Sequence, residues 1–461
     1  VMTMSSTAQS PLFRSSLNAN SFDFSNAASV ATGITALNAD GFSVGTSGGA
    51  NNSGATIYYV AFNQSSDYFS LNTYTGSGVD NRNITGIGFE PEFVFTKQVN
   101  TANQVAFKTE STDYSVDKSI FGYGNVQATN RIQNLQADGF QIGINSDVNT
   151  SGGSYNYFAF KQHDAPLIVN TTSDASNGDT SSINALRASN GGDGISLREA
   201  ITAANNTHNG TIVDQIQFNI AGGGAQTIAV ASLLPTIGDA IYINAASQPG
   251  YASSPLIVIN GGGTVQDGLR LYTGSSGSTV SGLVIRNFTQ DGIDIYQSNN
   301  NSIVGNYIGI NQAGTASAGN VTGVNLWDSS NNTIGGTTTA DRNVISGNSD
   351  TGIFIGGTST GNQVRGNYIG TNAAGTAAVG NDNYGIFVES AGNFFGAATT
   401  GAGNVISGNG RAIEINTSNT TIYGNYIGTN AAGTAAIANS WGIVLTNSSN
   451  NTIGGTSAAS R

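Results

Sequence analysis

Apolar residues in the second part of the chain recur in short alternating runs, without the three-to-four-residue spacing of an amphipathic helix. Seven such runs start at residues 268, 292, 323, 352, 385, 412 and 442, with steps of 24, 31, 29, 33, 27 and 30 residues. Alternation places the second and fourth residue of every run on one side of a strand. The two predicted inward columns are Leu269, Ile293, Val324, Ile353, Ile386, Ile413 and Ile443, and Leu271, Ile295, Leu326, Ile355, Val388, Ile415 and Leu445.

Columns of this kind define a solenoid, in which each coil repeats the contacts of the one before about 4.8 Å along the axis. Earlier apolar runs at 216–220, 241–243 and 256–259 extend the stack to about ten coils. The sequence GNYIG at 305–309, 366–370 and 424–428 recurs every second coil, and Asn306, Asn367 and Asn425 are predicted to form amide ladders. Residues 164–461 are therefore predicted to fold as a right-handed parallel β-helix.

The first part of the chain contains a different repeat. Residues 34–64 and 132–162 share one pattern at an offset of 98 residues. Their short alternating runs, broken by Gly, Asn and Ser, predict antiparallel β-sandwich or jelly-roll modules at 1–64 and 65–163. The first module lacks the counterpart of the segment at 84–97, so we expect the chain to start inside a repeat. The overall fold class predicted is all-β.

The segment GISLREAI at 194–201 predicts a short capping helix, with Ser196 as N-cap and Glu199 completing a capping box. This segment resembles the SLREAI cap of bacterial right-handed parallel β-helix surface proteins of the pectate-lyase-like type. Members of that family often have Cys where this chain has Ile195, so the resemblance implies no cap disulfide here. The first part resembles a β-sandwich module of bacterial surface and phage-tail sequences. Because 450–461 repeats 331–342, we expect further coils beyond Arg461.

Composition excludes several functions. Charged residues are only 9% of the chain, the formal net charge is −12, and no basic stripe exists, so nucleic-acid binding is excluded. With no Cys, the chain has neither disulfides nor thiolate metal ligands. The longest apolar runs are too short to span a membrane.

Candidate chemistry is sparse. Asp267 and Asp291 occupy equivalent positions on adjacent coils, and Asp294 is nearby. Carboxylates grouped in this way bind calcium or act as acid and base in catalysis. The same sequence pattern also arises from structural Asp residues that precede Gly in turns. A second calcium candidate is the loop from Asp174 to Asp179, which also reads as an Asx-turn loop. Arg270 and Asp294 are expected to form a surface ion pair. The signatures of polygalacturonases are missing, and the two histidines, His163 and His208, are expected in solvated loops, so the chain is predicted not to be an enzyme.

Aromatic residues recur on the outside of the predicted β-helix. The outward ladder comprises Tyr272, Tyr296, Trp327, Phe354 and Phe387. Such a ladder either stacks on sugar rings, anchors a partner or lies under a loop.

Three functional hypotheses follow. The leading one is a secreted or cell-surface structural or adhesive protein of bacterial type that assembles with copies of itself and binds extracellular glycans. One alternative is a polysaccharide-active enzyme, a lyase or hydrolase, on the β-helix. The other alternative is a phage tail-fibre or tailspike element. The leading hypothesis places the chain outside the cell, with calcium as the one candidate cofactor.

Overall fold

The computed structural model consists of two compact units, Val1–His163 and Asp164–Arg461. The structure describes residues 2–5, 12–23, 29–62, 69–99, 101–109, 119–121, 126–136, 138–161, 166–207, 209 and 213–457. The expectation for His163 and His208 falls outside these residues.

The first unit is built from antiparallel sheets. Its largest sheet contains, in spatial order, Val126–Ala128, Ser119–Phe121, Ala106–Thr109, Phe93–Gln98, Ser154–Phe160 and Phe69–Thr75. The remaining strands are Phe22–Asp23, Leu12–Phe13, Met2–Ser5 and Ile57–Val60 in one sheet, Ile132–Gln136, Gly139–Ile142 and Arg82–Thr85 in another, and the pair Ile34–Asn38 and Gly41–Val44. One helix, Ser146–Asn149, precedes the last long strand. This arrangement agrees with the predicted sandwich-like class.

The repeat at an offset of 98 residues folds into the same hairpin twice. Ile34–Asn38 pairs with Gly41–Val44, and Ile132–Gln136 pairs with Gly139–Ile142. Both hairpins have an irregular register after the first residue, because the first strand carries one extra residue there.

The second unit is a parallel β-helix with three sheets along its length in the described residues. The ten-strand sheet comprises Leu167–Val169, Asp214–Phe218, Ile241–Asn244, Thr279–Ser281, Ser302–Val304, Thr333–Gly335, Gln363–Arg365, Phe394–Phe395, Thr421–Ile422 and Thr452–Ile453. The eight-strand sheet comprises Gln226–Ala229, Ile257–Asn260, Leu283–Arg286, Tyr307–Ile308, Val344–Ile345, Tyr368–Ile369, Val405–Ile406 and Tyr426–Ile427. The seven-strand sheet comprises Leu269–Leu271, Asp291–Tyr296, Thr322–Trp327, Thr351–Gly356, Tyr384–Val388, Arg411–Ile415 and Trp441–Leu445.

Strand register confirms the two inward columns residue by residue. Leu269 pairs with Ile293, which pairs with Val324, and the same succession continues to Ile443. All of these side chains except that of Leu445, which is exposed, form one apolar core with those of the other two sheets. Their burial removes apolar surface from water at every coil, which is the main stabilising contribution to a solenoid.

Asparagine ladders run through the turns between the sheets. The predicted ladder residues Asn306 and Asn367 are joined through Asn343 of the intervening coil, whose amide donates to Asn367 Oδ1 at 2.9 Å. The ladder continues through Asn404 to Asn425. It is therefore continuous, with one Asn per coil, where the sequence predicted one every second coil. Two further ladders are formed by Asn320, Asn348, Asn381, Asn409 and Asn439, and by Asn301, Asn332, Asn362 and Asn393.

Two helices lie near the start of the β-helix, Ile183–Ala188 and Leu197–Asn206, and a 3-10 turn occupies Ala245–Ser247. Ser196 and Glu199 form the predicted capping box, because each side chain accepts a hydrogen bond from the other residue's backbone N–H. Leu197, Ala200 and Ile201 are fully buried in the apolar core. In the described part of the chain, no helix is both long and apolar enough to cross a membrane.

Small-residue loops cover the outer face of the eight-strand sheet. The loops around Gly314, Gly375 and Gly433 stack on one another, since Ala373 N donates to Gly314 O and Ala431 N donates to Gly375 O. Apolar side chains beneath them, such as Val284, are buried. A Cβ at Gly314 would lie 2.4 Å from that of Ala373, so close loop stacking requires glycine there. The small residues thus serve packing within the chain.

Candidate functional site

Three buried or half-buried aspartates meet at the outer side of the seven-strand sheet, on its first two coils. Asp267 precedes the first strand of this sheet, whereas Asp291 begins the second strand and Asp294 lies three residues further along it. Asp267 and Asp294 are only 5% and 8% exposed. We call these three residues the acidic cluster.

Hydrogen bonds tie the acidic cluster together. Asn325, on the third strand, donates through Nδ2 to Asp291 Oδ2 at 3.1 Å and to Asp294 Oδ1 at 2.9 Å. Tyr272 donates its hydroxyl to the other oxygen of Asp294 at 2.7 Å. Asp267 Oδ1 accepts from the backbone N–H of Asp291 at 3.2 Å. The Asn325 amide therefore bridges the carboxyl groups of Asp291 and Asp294.

Burial raises the pKa of all three carboxyl groups, and the charges of neighbouring aspartates raise it further for Asp291 and Asp294. Desolvation, followed by the charges of Asp294 and Asp267, raises the pKa of Asp291 from 3.8 to about 7. Burial also raises the pKa of Asp294, but hydrogen bonds from Tyr272 and Asn325 and the charge of Arg270 oppose it. Burial raises the pKa of Asp267 as well, against the hydrogen bond from the Asp291 backbone. Near neutral pH the cluster therefore holds a proton, most readily on Asp291.

The raised pKa of Asp291 predicts a pH-dependent loss of stability. In the unfolded chain this carboxyl ionises near pH 4, whereas in the folded chain it stays protonated to about pH 7. The unfolded state therefore releases its proton first, so stability falls as pH rises through this window, by up to about 4 kcal/mol, and then levels off. We expect Asp291→Asn to raise the thermal midpoint at pH 8 and leave it nearly unchanged at pH 4. An equal effect at both pH values, measured by calorimetry, would contradict the raised pKa.

The expected surface ion pair between Arg270 and Asp294 is wrong. Asp294 is buried and bonds to Tyr272 and Asn325, while Arg270 donates to the Leu234 carbonyl and places its guanidinium 5.7 Å from the Tyr272 ring centre. The alternation of the strand was enough to predict that both side chains point outward. It could not show that the Tyr272 hydroxyl binds Asp294 while the Tyr272 ring packs against the Arg270 guanidinium.

The aromatic ladder divides into two parts. Tyr272 and Tyr296 have ring centres 5.4 Å apart, and Trp327 lies in register with Tyr296 on the next coil. Phe354 and Phe387 are in register with Asn325 on the next two coils, with ring centres 5.4 Å apart and planes tilted by 51°. Among these five, Tyr296 and Trp327 are the most open, at 37% and 40% exposure. Sugar binding by the ladder stays a prediction.

The other calcium candidates have protein partners. Both carboxylate oxygens of Asp174 accept hydrogen bonds from Arg198, at 3.0 and 2.8 Å. Asp179 accepts from the backbone and hydroxyl of Ser181, which hold its pKa below the usual value. Within the residues that the structure describes, no three His, Cys, Asp or Glu side chains are grouped to hold a metal ion. Calcium binding stays a prediction.

Two residues of the site were not singled out in the sequence as partners of the carboxylates. Asn325 stands in the outward column directly after Asp294, and that register was available from the coil spacing. Tyr272 was placed only in the aromatic ladder, because nothing in the spacing indicates that its hydroxyl reaches one coil forward.

Comparison with known proteins gives limited matches. A family described as a domain of unknown function, DUF7483, matches residues 64–227. No curated protein matches the chain. Similar solved structures include the catalytic domain of GH87 alpha-1,3-glucanase in complex with nigerose, at 13% identity and a TM-score of 0.22, and a variant of it with tetrasaccharides, at 13% identity and a TM-score of 0.20. In both cases 86% of this chain and 88% of the other are covered.

The prediction that the chain is not an enzyme is contradicted by these matches, because the similar structures are catalytic domains. Their low identity and TM-scores assign neither a substrate nor a catalytic residue to this chain. The chemistry has to be argued from the acidic cluster itself.

Proposed function

We propose that the second unit hydrolyses glycosidic bonds of a neutral polysaccharide on the outer face of the seven-strand sheet. The observation that carries this proposal is the pair Asp291 and Asp294, bridged by the Asn325 amide, with one carboxyl group protonated near neutral pH. Glycoside hydrolysis needs such a pair, one group to protonate the leaving oxygen and one to act as an ionised carboxylate.

The environments of the two carboxyl groups assign their roles. Asp291 has the higher affinity for a proton, because the charges of Asp294 and Asp267 add to its desolvation, so it is the general acid. Asp294 accepts hydrogen bonds from Tyr272 and Asn325, which favour its ionised form over that of Asp291. Asp294 is therefore the carboxylate that acts on the sugar or on an attacking water.

The spacing of these groups is suitable for the reaction. The Asp291 and Asp294 oxygens bound by Asn325 lie no farther apart than the sum of their 3.1 and 2.9 Å hydrogen bonds. That upper limit admits the separation of roughly 5–5.5 Å between the carboxyl groups of retaining glycosidases and lies below the roughly 6.5–9.5 Å of inverting ones.

Charge favours a neutral substrate and hydrolysis over lyase chemistry. A uronic acid would bring a further negative charge to three aspartates in a chain of net charge −12. The sequence has no Lys after Lys161, so Lys cannot serve as the base that abstracts a proton beside a uronate in this unit. A neutral sugar requires neither a cationic clamp nor a basic residue.

Incubation of the full chain with single polysaccharides tests the proposal. We expect reducing ends to be released from at least one neutral polysaccharide and not from polygalacturonate. The double variant Asp291→Asn with Asp294→Asn should be inactive. Asp382→Asn, which removes an exposed carboxylate beside a later strand of the same sheet, should retain full activity. Saturable binding without release of product by the unaltered chain would overturn hydrolysis and favour the glycan-binding adhesive function.

An extracellular or cell-surface location is part of this proposal, because a polymeric glycan meets its hydrolase outside the cytoplasm. Association with further copies of the chain stays a prediction. The small-residue loops that motivated it pack against one another within the chain, and light scattering of the native protein measures association directly.

A further inference from the structure

We propose that Trp327 is a platform on which one uncharged sugar ring of the substrate stacks, directly beside the acidic cluster. This inference takes its substrate class from the proposed function and adds the residue that positions the chain of sugars. Its test measures binding, so it can fail while hydrolysis stands.

Strand geometry places the indole next to the carboxyl groups. Trp327 follows Asn325 by two residues on the same outward face of its strand, a distance of about 7 Å. Asn325 contacts both Asp291 and Asp294. A sugar ring stacked on Trp327 is therefore next to the glycosidic bond on which these two carboxyl groups act. Tyr296 extends the platform to the preceding coil, in register with Trp327.

A glycine on the next coil leaves the space that the Trp327 indole occupies. Gly356 is in register with Trp327, and a Cβ at this position would lie 2.9 Å from Trp327 Cε3 and 2.7 Å from Phe354 Cε1. The absence of a side chain therefore lets the edge of the indole rest against the strand. Phe354 stacks beside it, with ring centres 6.1 Å apart and planes at 23°. Trp327 is thus packed on one side and still 40% exposed.

The chemistry of this surface selects a neutral ring. The aromatic face offers apolar contact to the C–H groups of a sugar and no charge. The carboxylate of Asp328, next in sequence, accepts from Thr358 N and Oγ1, and it adds a negative charge that disfavours an acidic sugar.

The two tryptophans of the chain make this inference directly measurable. Trp441 is 62% exposed at a distant coil, so Trp441→Phe leaves Trp327 as the only indole without removing buried contacts. We expect a saturable change in its fluorescence on titration with at least one neutral tetrasaccharide of defined linkage. Tetragalacturonate should give none.

Two further variants separate stacking from general damage. Trp327→Ala should weaken tetrasaccharide binding roughly three- to tenfold by calorimetry. Gly356→Ala keeps the indole but displaces it, and should weaken binding by a similar factor. Unchanged affinity in both variants, or no fluorescence change with any neutral tetrasaccharide, would overturn the platform. If these variants bind normally and still release product from polysaccharide, the platform fails and the proposed hydrolysis survives.

Discussion

Replacing Asp291 by Asn is expected to lower the rate of polysaccharide hydrolysis by about 10²–10⁴-fold. The substitution preserves the shape of the side chain and removes the proton that burial and the charges of Asp294 and Asp267 hold on it near pH 7. The leaving sugar oxygen then departs without protonation. Initial rates of reducing-end release, measured against the unaltered chain at pH 6, give the size of the loss.

A substrate with a good leaving group provides the control for this loss. An aryl glycoside that releases a nitrophenolate needs little acid assistance, so Asp291→Asn should reduce its hydrolysis far less than that of the polysaccharide. Asp294→Asn should impair both substrates equally, because the ionised carboxylate is required in each case. Equal losses on both substrates in Asp291→Asn would exclude Asp291 as the general acid.

Replacing Asn367 by Leu is expected to destabilise the second unit by about 3–6 kcal/mol. Asn367 is fully buried; its Oδ1 accepts from the Asn343 amide, and its Nδ2 donates to Ile334 O at 2.8 Å and to Asn404 Oδ1 at 3.1 Å. Leucine has a similar volume but removes one hydrogen bond from each of these three buried partners, at about 1–2 kcal/mol each. The cost per partner is moderate because Asn404 Oδ1 keeps the bond from the backbone N–H of residue 367 and Asn343 Nδ2 keeps its bond to Ile303 O. The midpoint of denaturant unfolding should fall accordingly.

An exposed Asn gives the matched control for the ladder. Asn331 is at the surface of a turn with φ of 59°, a conformation that glycine adopts freely. Asn331→Gly should therefore change the stability by less than about 0.5 kcal/mol. If Asn367→Leu were equally neutral, the ladder would not contribute to the stability of the coils.

The β-helix could be predicted from the sequence because its core repeats. Each coil has to bury two apolar side chains at equivalent positions, so a shift of register by one residue would expose them, and the spacing alone fixes pairs such as Ile353 with Ile386. The continuous asparagine ladder was only half predicted. Its intervening members Asn343 and Asn404 begin the two NVISGN segments. These segments differ from GNYIG in sequence but occupy the equivalent turn of the coil.

The site was harder to predict, because its chemistry depends on side-chain direction at the start of a strand. Asp291 and Asp294 were recognised as neighbours, yet strict alternation does not place residues three apart on the same face. The structure shows that both reach the Asn325 amide. The expectation of no catalysis came from missing signatures of other enzymes, and missing signatures say nothing about an unfamiliar arrangement of carboxyl groups.

The pH dependence of polysaccharide hydrolysis tests the central claim most directly, that Asp291 donates a proton held by burial and by its two acidic neighbours. Activity should be present below pH 7 and fall as pH rises through about 7, the pKa of Asp291. Asp291→Asn should lose this fall while keeping the residual rate. A rate that is constant from pH 6 to pH 9 in the unaltered chain, or a fall that persists in Asp291→Asn, would contradict the assignment.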